Sequence, residues 1–471
     1  MTSKNAPSAF EYTNNRGIKM AKVLISPIGA ARREDNPNRE YKRTKYKFDG
    51  DDRVFETPFV SAALANYLKV DKIIFIGTAK SMWEEVYKYF TESANCEFDY
   101  DYWVEIGDLS ENSTFDNSII NEAILQKTMD SVDKYLKTIN PSASGGSLPL
   151  IIKYGLNERE LWENFNLFMK LADILNDGDK LYLDITHSFR SIPLFMYLMM
   201  EFIQMLNHKE ITLKGLYYGM FEAIAELGYT PVVDLKPLFD ISQWIRGVYD
   251  FINYGNGYLI SELICKQNVD DKNRINDISK KIKNISELIN INYLTDLQNQ
   301  IKSLNKLSDG KHSRTGPIAY IFPLIEDFIS KFSKIEKASE FQLELSKWYF
   351  ENKRYGHGYI CLVESILTKL CEIYGLDLNN IDNRQVMKKL VIKGPSWYKV
   401  EYLDRLSKKY KSINQIRNRI AHAAFYRDDN YSFITDIEQA TKNYEDVKKL
   451  LESKEINELN SIIPIQEIYS K

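Results

Sequence analysis

The chain is poor in the residues that build metal centres and cross-links. Its 471 residues include four cysteines and five histidines. Cys96, Cys265, Cys361 and Cys371 form no CxxC pair, and no His/Cys cluster has zinc-ligand spacing. Neither a disulfide framework nor a structural zinc site is expected, and no metal site is assigned. An excess of one charge is lacking too: 62 basic residues nearly balance 65 acidic ones, for a formal net charge of −3. That excludes a broad basic face and restricts nucleic-acid contact to local patches. No apolar run reaches membrane-spanning length, since the longest, "LFMYLMMEFIQML", contains Glu201. Walker and dinucleotide fingerprints are missing, which disfavours a standard ATPase or NAD enzyme. A cytoplasmic protein of two or three domains, with reduced thiols, is the expectation.

What is present is an alternation of short β-branched runs with amphipathic stretches. Residues 1–19 are polar and aperiodic, and read as a flexible tail or an extension upstream of a start at Met20. Strands are predicted over 21–29, 72–78, 99–108, 148–157, 180–186, 211–221 and 230–235. Helices are predicted over 58–69, 80–90, 118–139 and 158–175, the last with Asn157 as its N-cap. The polar stretch 32–53 is too long for a simple turn and reads as a functional loop or a hairpin. Pro193 fits the first turn of a further helix. The pattern predicts a Rossmann-like, mostly parallel α/β sheet covered on both faces. After about residue 236 only helical periodicity remains, with Gly375 a stop signal at the end of the stretch 336–374. The fold class is therefore an α/β N-terminal half followed by an all-α C-terminal half.

Unusual residues collect at the predicted carboxyl ends of strands, where open parallel sheets bind ligands. These are Ser26, Pro27 and Gly29, then Gly77 and Thr78, then Gly155, and finally Thr186, His187, Ser188 and Arg190 in "DITHSFRSIP". A helix starting near Ile192 would aim its N-terminal N–H groups at the same rim. Arg190 adds a planar fork for phosphate, and hydroxyls can meet ribose or base edges. The alternative is that Thr186 and Ser188 only cap that helix while His187 packs; the glycines at several strand ends weigh against it, because they let a ligand approach the backbone.

The second candidate lies in "SINQIRNRIAHAAF" (412–425). Ile413, Ile416, Ile420 and Ala424 share one predicted helix face, and at about 100° per residue His422 falls nearly opposite it. Asn418 lies one turn before His422, and Arg417 sits at the edge, about 140° away from His422. A solvated polar face remains the plain alternative. Two copies facing each other would gather two Arg, two Asn and two His, a set suited to RNA cleavage without metal. His moves protons near neutral pH, Arg offsets phosphate charge, and the ribose 2′-OH attacks.

"RNRIAH" (417–422) matches the RxxxxH motif of HEPN ribonucleases, and "LDITHSFRSIPL" (183–194) resembles the DxTHG motif of CARF domains in CRISPR-associated proteins. "KVLISPIG", "KIIFIGTAKSMW", "LKGLYYGMFEA" and "TPVVDL" resemble further CARF blocks, and "LSKWYFENKRYGHGYICLVESI" resembles the helix before the HEPN catalytic one. The resemblance is to the CARF–HEPN ribonucleases of type III CRISPR systems, over roughly 20–240 and 336–430. It implies a tail (1–19), a CARF sensing domain (20–235), a helical connector (236–335) and a HEPN domain (336–471). It further implies a homodimer or higher homo-oligomer that binds cyclic oligoadenylate, most commonly the tetra-adenylate, and then cleaves single-stranded RNA. No cofactor, membrane or DNA partner is implied. Arg417 and His422 would be the catalytic pair supported by Asn418, with Thr186, His187 and Arg190 at the activator pocket and Ser26, Gly29, Gly77 and Thr78 nearby. The family's Gly after the motif His is Ser188 here, a departure at a turn that favours Gly. A non-catalytic nucleotide sensor or scaffold, or a CARF domain that degrades its own activator, are the alternatives.

Overall fold

The computed structural model describes residues 20–30, 41–114, 119–187, 191–206, 210–267, 271–308, 317–422 and 432–471, with the side chains of 204–206 and 308 excluded. Backbone contacts divide the chain into two units, Met1–Asp240 and Ile241–Lys471.

The first unit is built on eight strands: β1 (Lys22–Pro27), β2 (Thr44–Phe48), β3 (Phe55–Thr57), β4 (Lys72–Gly77), β5 (Leu148–Ile151), β6 (Lys180–Asp184), β7 (Thr212–Gly219) and β8 (Thr230–Asp234). They form one sheet in the order β3-β2-β8-β7-β6-β1-β4-β5. All pairings are parallel except β2–β3 and β7–β8. The central strands read as near-continuous apolar runs because both their faces are covered. Side chains of β1 alternate between two cores: Leu24 joins Phe59, Trp83, Phe90 and Val132 on one face, while Val23 and Ile25 join Phe168, Leu171, Met196 and Ile203 on the other. The covering helices are α1 (Val60–Leu68), α2 (Trp83–Ser93), α3 (Tyr100–Asn112), α4 (Gln126–Ile139), α5 (Glu158–Ile174), α6 (Ser191–Leu206) and the short α7 (Ile224–Leu227).

One expected strand is a helix. Residues 99–108 alternate aromatic and polar side chains, yet Tyr100–Asn112 is helical. Asp99 caps it by accepting the Tyr102 N–H at 3.0 Å, and its buried residues, Ile106 and Ser110, are four apart. A good N-cap and an i,i+4 buried pair outweigh a weak period-two pattern. The stretch 32–53 contains the first strand of the β2–β3 hairpin, turning through Gly50 at φ +71°. Helix α4 starts at Gln126, later than expected, and Asn157 does cap α5 through the Glu160 N–H.

The second unit is helical throughout its described residues. In order come α8 (Lys236–Tyr254), whose first residues, to Asp240, still belong to the first unit, α9 (Tyr258–Lys266), α10 (Lys272–Ile291), α11 (Leu294–Ser308), α12 (Pro317–Ser333), α13 (Ala338–Glu351) and α14 (Tyr355–Ile373). They are followed by α15 (Ile381–Trp397), α16 (Glu401–Ala421), α17 (Phe433–Glu438), α18 (Ala440–Glu452), α19 (Lys454–Ile462) and α20 (Ile465–Tyr469). Two cores hold them. One gathers Trp244, Phe251, Ile282, Phe328, Trp348 and Tyr349, so α8–α12 pack onto α13. The other gathers Tyr359, Ile366, Leu403, Tyr410, Ile413 and Val447 around α14, α16 and α18. Among the described residues no helix is long and apolar enough to cross a membrane.

Helices α13 and α14 pack closely because Gly358 has no side chain; a Cβ there would run into the Phe350 ring. Gly358→Ala should destabilise the helical unit by about 1–3 kcal/mol through overpacking, read as a lower urea midpoint.

Candidate functional site

Strand β1 lies between β4 and β6, and the chain turns to opposite sides of β1 to make them. This is a topological switch point, where carboxyl-end loops part and leave a crevice. The structure has a cavity of about 350 Å³ there, lined by Pro27, Ile28, Gly29 and Ala30 after β1, and by Ile76, Gly77, Thr78 and Ser81 around the β4 end. Ile152, Thr186, His187 and Ile192 complete it. Six of the residues singled out from sequence thus meet at one cavity: Pro27, Gly29, Gly77, Thr78, Thr186 and His187. Ser188 and Arg190 lie outside the described residues.

Ser26 and Gly155 do not line the cavity. Ser26 is buried, and its hydroxyl donates to Asp184 Oδ2 at 2.6 Å. Gly155 adopts φ +81°, and its N–H and that of Leu156 donate to Glu160 Oε2 at 2.9 and 3.0 Å, so this loop closes on its own helix.

The walls are held by a few hydrogen bonds. Asp184 Oδ1 accepts the Thr186 N–H at 2.9 Å, and Thr186 Oγ1 accepts the Gly219 N–H at 2.8 Å. With the Ser26 bond, this chain ties the ends of β1, β6 and β7. On the other side Ser81 Oγ donates to the Ile28 carbonyl (3.1 Å) and accepts the Thr78 N–H (3.0 Å), while Trp83 Nε1 donates to the Thr78 carbonyl at 3.0 Å. Gly77 is required there, because a Cβ would sit 2.7 Å from the Trp83 ring and 2.9 Å from Ser81 Oγ. Asp184, Ser81 and Trp83 were not singled out from sequence. Ser81 had a readable signal, a hydroxyl three residues after Thr78, the spacing of a local side-chain-to-backbone turn.

Two polar atoms are left over. Thr78 Oγ1 and His187 Nε2 are buried with no hydrogen-bond partner among the described residues. Buried polar groups are rarely left so, which points to a ligand or water completing them. The His187 ring lies 5.8 Å from Tyr41 and 5.0 Å from Phe221, and burial lowers its pKa to about 4. It is neutral at physiological pH and presents a hydrogen-bonding nitrogen rather than a cation. No Lys or Arg lines the cavity among its described residues. Its described lining offers the Thr78 hydroxyl and the His187 imidazole as uncharged hydrogen-bonding groups.

The second candidate closes α16. Ile413 and Ile416 are buried as expected, but Ile420 is 38% exposed and Ala424 lies outside the described residues, so the apolar face is shorter than its spacing implied. The helix ends at Ala421, and His422 is its exposed C-cap, its N–H donating to the Asn418 carbonyl at 2.9 Å. Arg417, half-buried, donates to Asn414 Oδ1 at 2.9 Å. Among the described residues no hydrogen bond joins Arg417 to His422. Arg419, between them, is held by both oxygens of Asp436 at 2.8 and 2.9 Å, and so fixes α17 onto α16.

The model of the CARF domain of the CRISPR system endoribonuclease Csx1 matches residues 23–222, the part of the chain that builds the cavity. The model of the second domain of the CRISPR-associated protein MJ1674 matches 240–341. CRISPR-associated protein MJ1674 of Methanocaldococcus jannaschii is 46% identical over 449 residues, covering 94% of this chain and 68% of that protein. The chain belongs to the MJ1674 family of CRISPR-associated CARF proteins. A structure of Enterococcus italicus Csm6 bound to cyclic hexa-2'-fluoro-hexa-dAMP aligns over 96% of this chain and 99% of that one, at 13% identity and a TM-score of 0.39. That level of likeness bears no weight on either unit. The CARF match falls on the sheet, and its cavity opens at the switch point rather than at an edge.

Asp184 is fully buried, and burial raises its pKa to about 6 despite the Ser26 and Thr186 bonds that favour the anion. The unfolded chain loses this proton at lower pH, so the folded form is penalised as pH rises from about 4 to 6. His187 acts oppositely, its neutral burial costing stability as pH falls below the ordinary histidine range. Asp184→Asn removes only the first effect. From pH 4 to 7 its stability should rise relative to the wild type by about 3 kcal/mol, measured by urea unfolding at each pH.

Proposed function

We propose that this protein is a cyclic oligoadenylate-activated endoribonuclease of type III CRISPR defence, acting in the cytoplasm. The cavity at the switch point carries the proposal, because its shape, its spare Thr78 and His187 atoms and the CARF match all suit one nucleotide unit. A ring, with the tetra-adenylate the first choice, would place a base or ribose in each cavity and its phosphates toward the segment containing Ser188 and Arg190. In the proposed organisation residues 20–235 sense the ring, 236–335 connect, and 336–471 form a HEPN domain that cuts single-stranded RNA.

Cutting would use Arg417, Asn418 and His422 from two copies. On one helix Arg417 and His422 face directions about 140° apart, and Arg417 turns to Asn414, so a facing copy is the simpler way to join them. Support for a homodimer comes also from α6, where Leu194 (61% exposed), Leu198 (48%) and Phe202 (38%) form an apolar stripe four residues apart. Trp162 on α5 adjoins it through Phe165. A contiguous apolar strip of this kind suits self-association about a two-fold axis. At the composite centre, His422 would move the proton of the ribose 2′-OH, Arg417 would offset charge on the phosphate, and Asn418 would orient it. The products would be a 2′,3′-cyclic phosphate and a 5′-hydroxyl. Ring binding would favour the arrangement in which the two helical units align, a population shift.

A second reading has the CARF half also degrading its ring, favoured by the uncharged His187 imidazole among the residues that line the cavity. Linear products from His422→Ala incubated with the ring would support it.

His422→Ala should abolish ring-dependent RNA cleavage in EDTA while keeping the wild-type ring affinity by calorimetry. Undiminished cleavage would refute the assignment.

A further inference from the structure

Helix α16 is a basic element in a mildly acidic chain. It carries six basic residues against two acidic ones, where the whole chain has a net charge of −3. Its buried side is Tyr402, Leu403, Leu406, Tyr410, Ile413 and Ile416. The opposite side bears Lys408, Lys411, Gln415, Asn418 and His422, spaced 3, 4, 3 and 4 residues apart, so that they follow one another along a single ridge. All are exposed except the half-buried Asn418. The ridge runs roughly 21 Å along the helix and ends at His422.

At its start the ridge borders an open groove of about 510 Å³ between α16 and α18, lined by Arg405, Lys408, Lys409, Ser412, Asp446, Lys449 and Leu450. Two of its cations are structural: Lys409 pairs with Asp446 at 2.7 Å and Arg405 with Glu455 at 2.6 Å, holding α16 to α18 and α19. Lys408 is 80% exposed, with only a 3.8 Å contact to Asp404. Lys411 and Lys449 are exposed and make no ion pair among the described residues. The pattern is ordered: cations in and beside the groove, two amides further along, then the histidine. Cations suit phosphates, and amides suit ribose hydroxyls or base edges.

We propose that the groove and ridge bind the sugar–phosphate backbone of single-stranded RNA and lead it along α16 to His422. This rests on the reading of RNA as the substrate of that site. Lys408, Lys411 and Lys449 hold phosphates several nucleotides from the cut, so they set affinity for longer strands rather than the chemistry. The two amides that follow the cations toward His422 favour RNA over an acidic protein, which would need only the charges.

The test uses the full-length chain carrying His422→Ala, so that RNA stays intact, and labelled poly-uridylate long enough to cover ridge and groove. Binding is measured by fluorescence anisotropy across a salt series. The added triple substitution Lys408→Gln, Lys411→Gln and Lys449→Gln should weaken binding by about tenfold or more and reduce the slope of log affinity on log salt by about 2. Gln415→Lys should do the reverse, steepening that slope by about 0.7. Wild-type affinity and slope in both variants would overturn the proposal. In the active chain, the triple substitution should raise KM more for long RNA than for an oligonucleotide reaching only Asn418 and His422; an equal effect on both would also overturn it. If the chain with His422 intact cuts no RNA, the proposed activity fails, while the binding series still decides whether the ridge holds RNA.

Discussion

The Asp184 carboxylate is the fixed point of the sensing half. It lies wholly buried at the end of β6, accepts the Ser26 hydroxyl from β1, and accepts the Thr186 backbone N–H from its own loop. Thr186 passes the link to Gly219 at the end of β7. Three neighbouring strand ends are therefore set by one acid. Burying a carboxylate is expensive unless its lone pairs are used. Here they are used to position the turn that presents His187. The cavity follows, because the β1 and β6 loops must part around a rigid base, while Ser81 and Trp83 hold the β4 loop on the far side.

Much of this was legible. The alternation of buried runs and helices outlined the sheet, and the rule that ligands sit at strand carboxyl ends singled out ten candidate residues, six of which line one cavity. Asn157 capped α5 because a polar residue before an amphipathic run has few other uses. Other features were hidden for physical reasons. Residues 99–108 looked like a strand because aromatics alternate there, and only the Asp99 cap with the Ile106–Ser110 spacing makes them helical. Ser26 looked like a ligand residue, but a hydroxyl at a strand end serves equally well beneath a pocket, and which it does depends on a partner 158 residues away. Asp184 was read as part of a motif and not as its anchor for the same reason. Cavity character was legible only in part. "DITHSFRSIP" suggested a phosphate edge, and of its residues Thr186, His187 and Ile192 line the cavity, while Ser188 and Arg190 lie outside the described residues.

The catalytic candidate behaves differently. Its residues are local in sequence, so a helical wheel sufficed to separate Arg417 from His422. What the wheel overstated was the apolar face, since Ile420 is partly exposed near the helix end. Nor did it single out Arg419, whose ion pair with Asp436 secures the helix end next to His422. The two arginines of "RNR" thus divide, one structural and one turned to a neighbouring amide, a distinction that identical chemistry conceals until partners are known.

In the proposed function, a ring in the switch-point cavity turns on cutting by the helical unit. The most direct measurement is cleavage of an unstructured RNA by the full-length chain in EDTA, titrated with cyclic tetra-adenylate and, separately, with cyclic hexa-adenylate. Cutting should be negligible without a ring and saturably activated by one of them, with fragments ending in 2′,3′-cyclic phosphate. Equal cutting without either ring, or none at saturating concentrations of both, would contradict it.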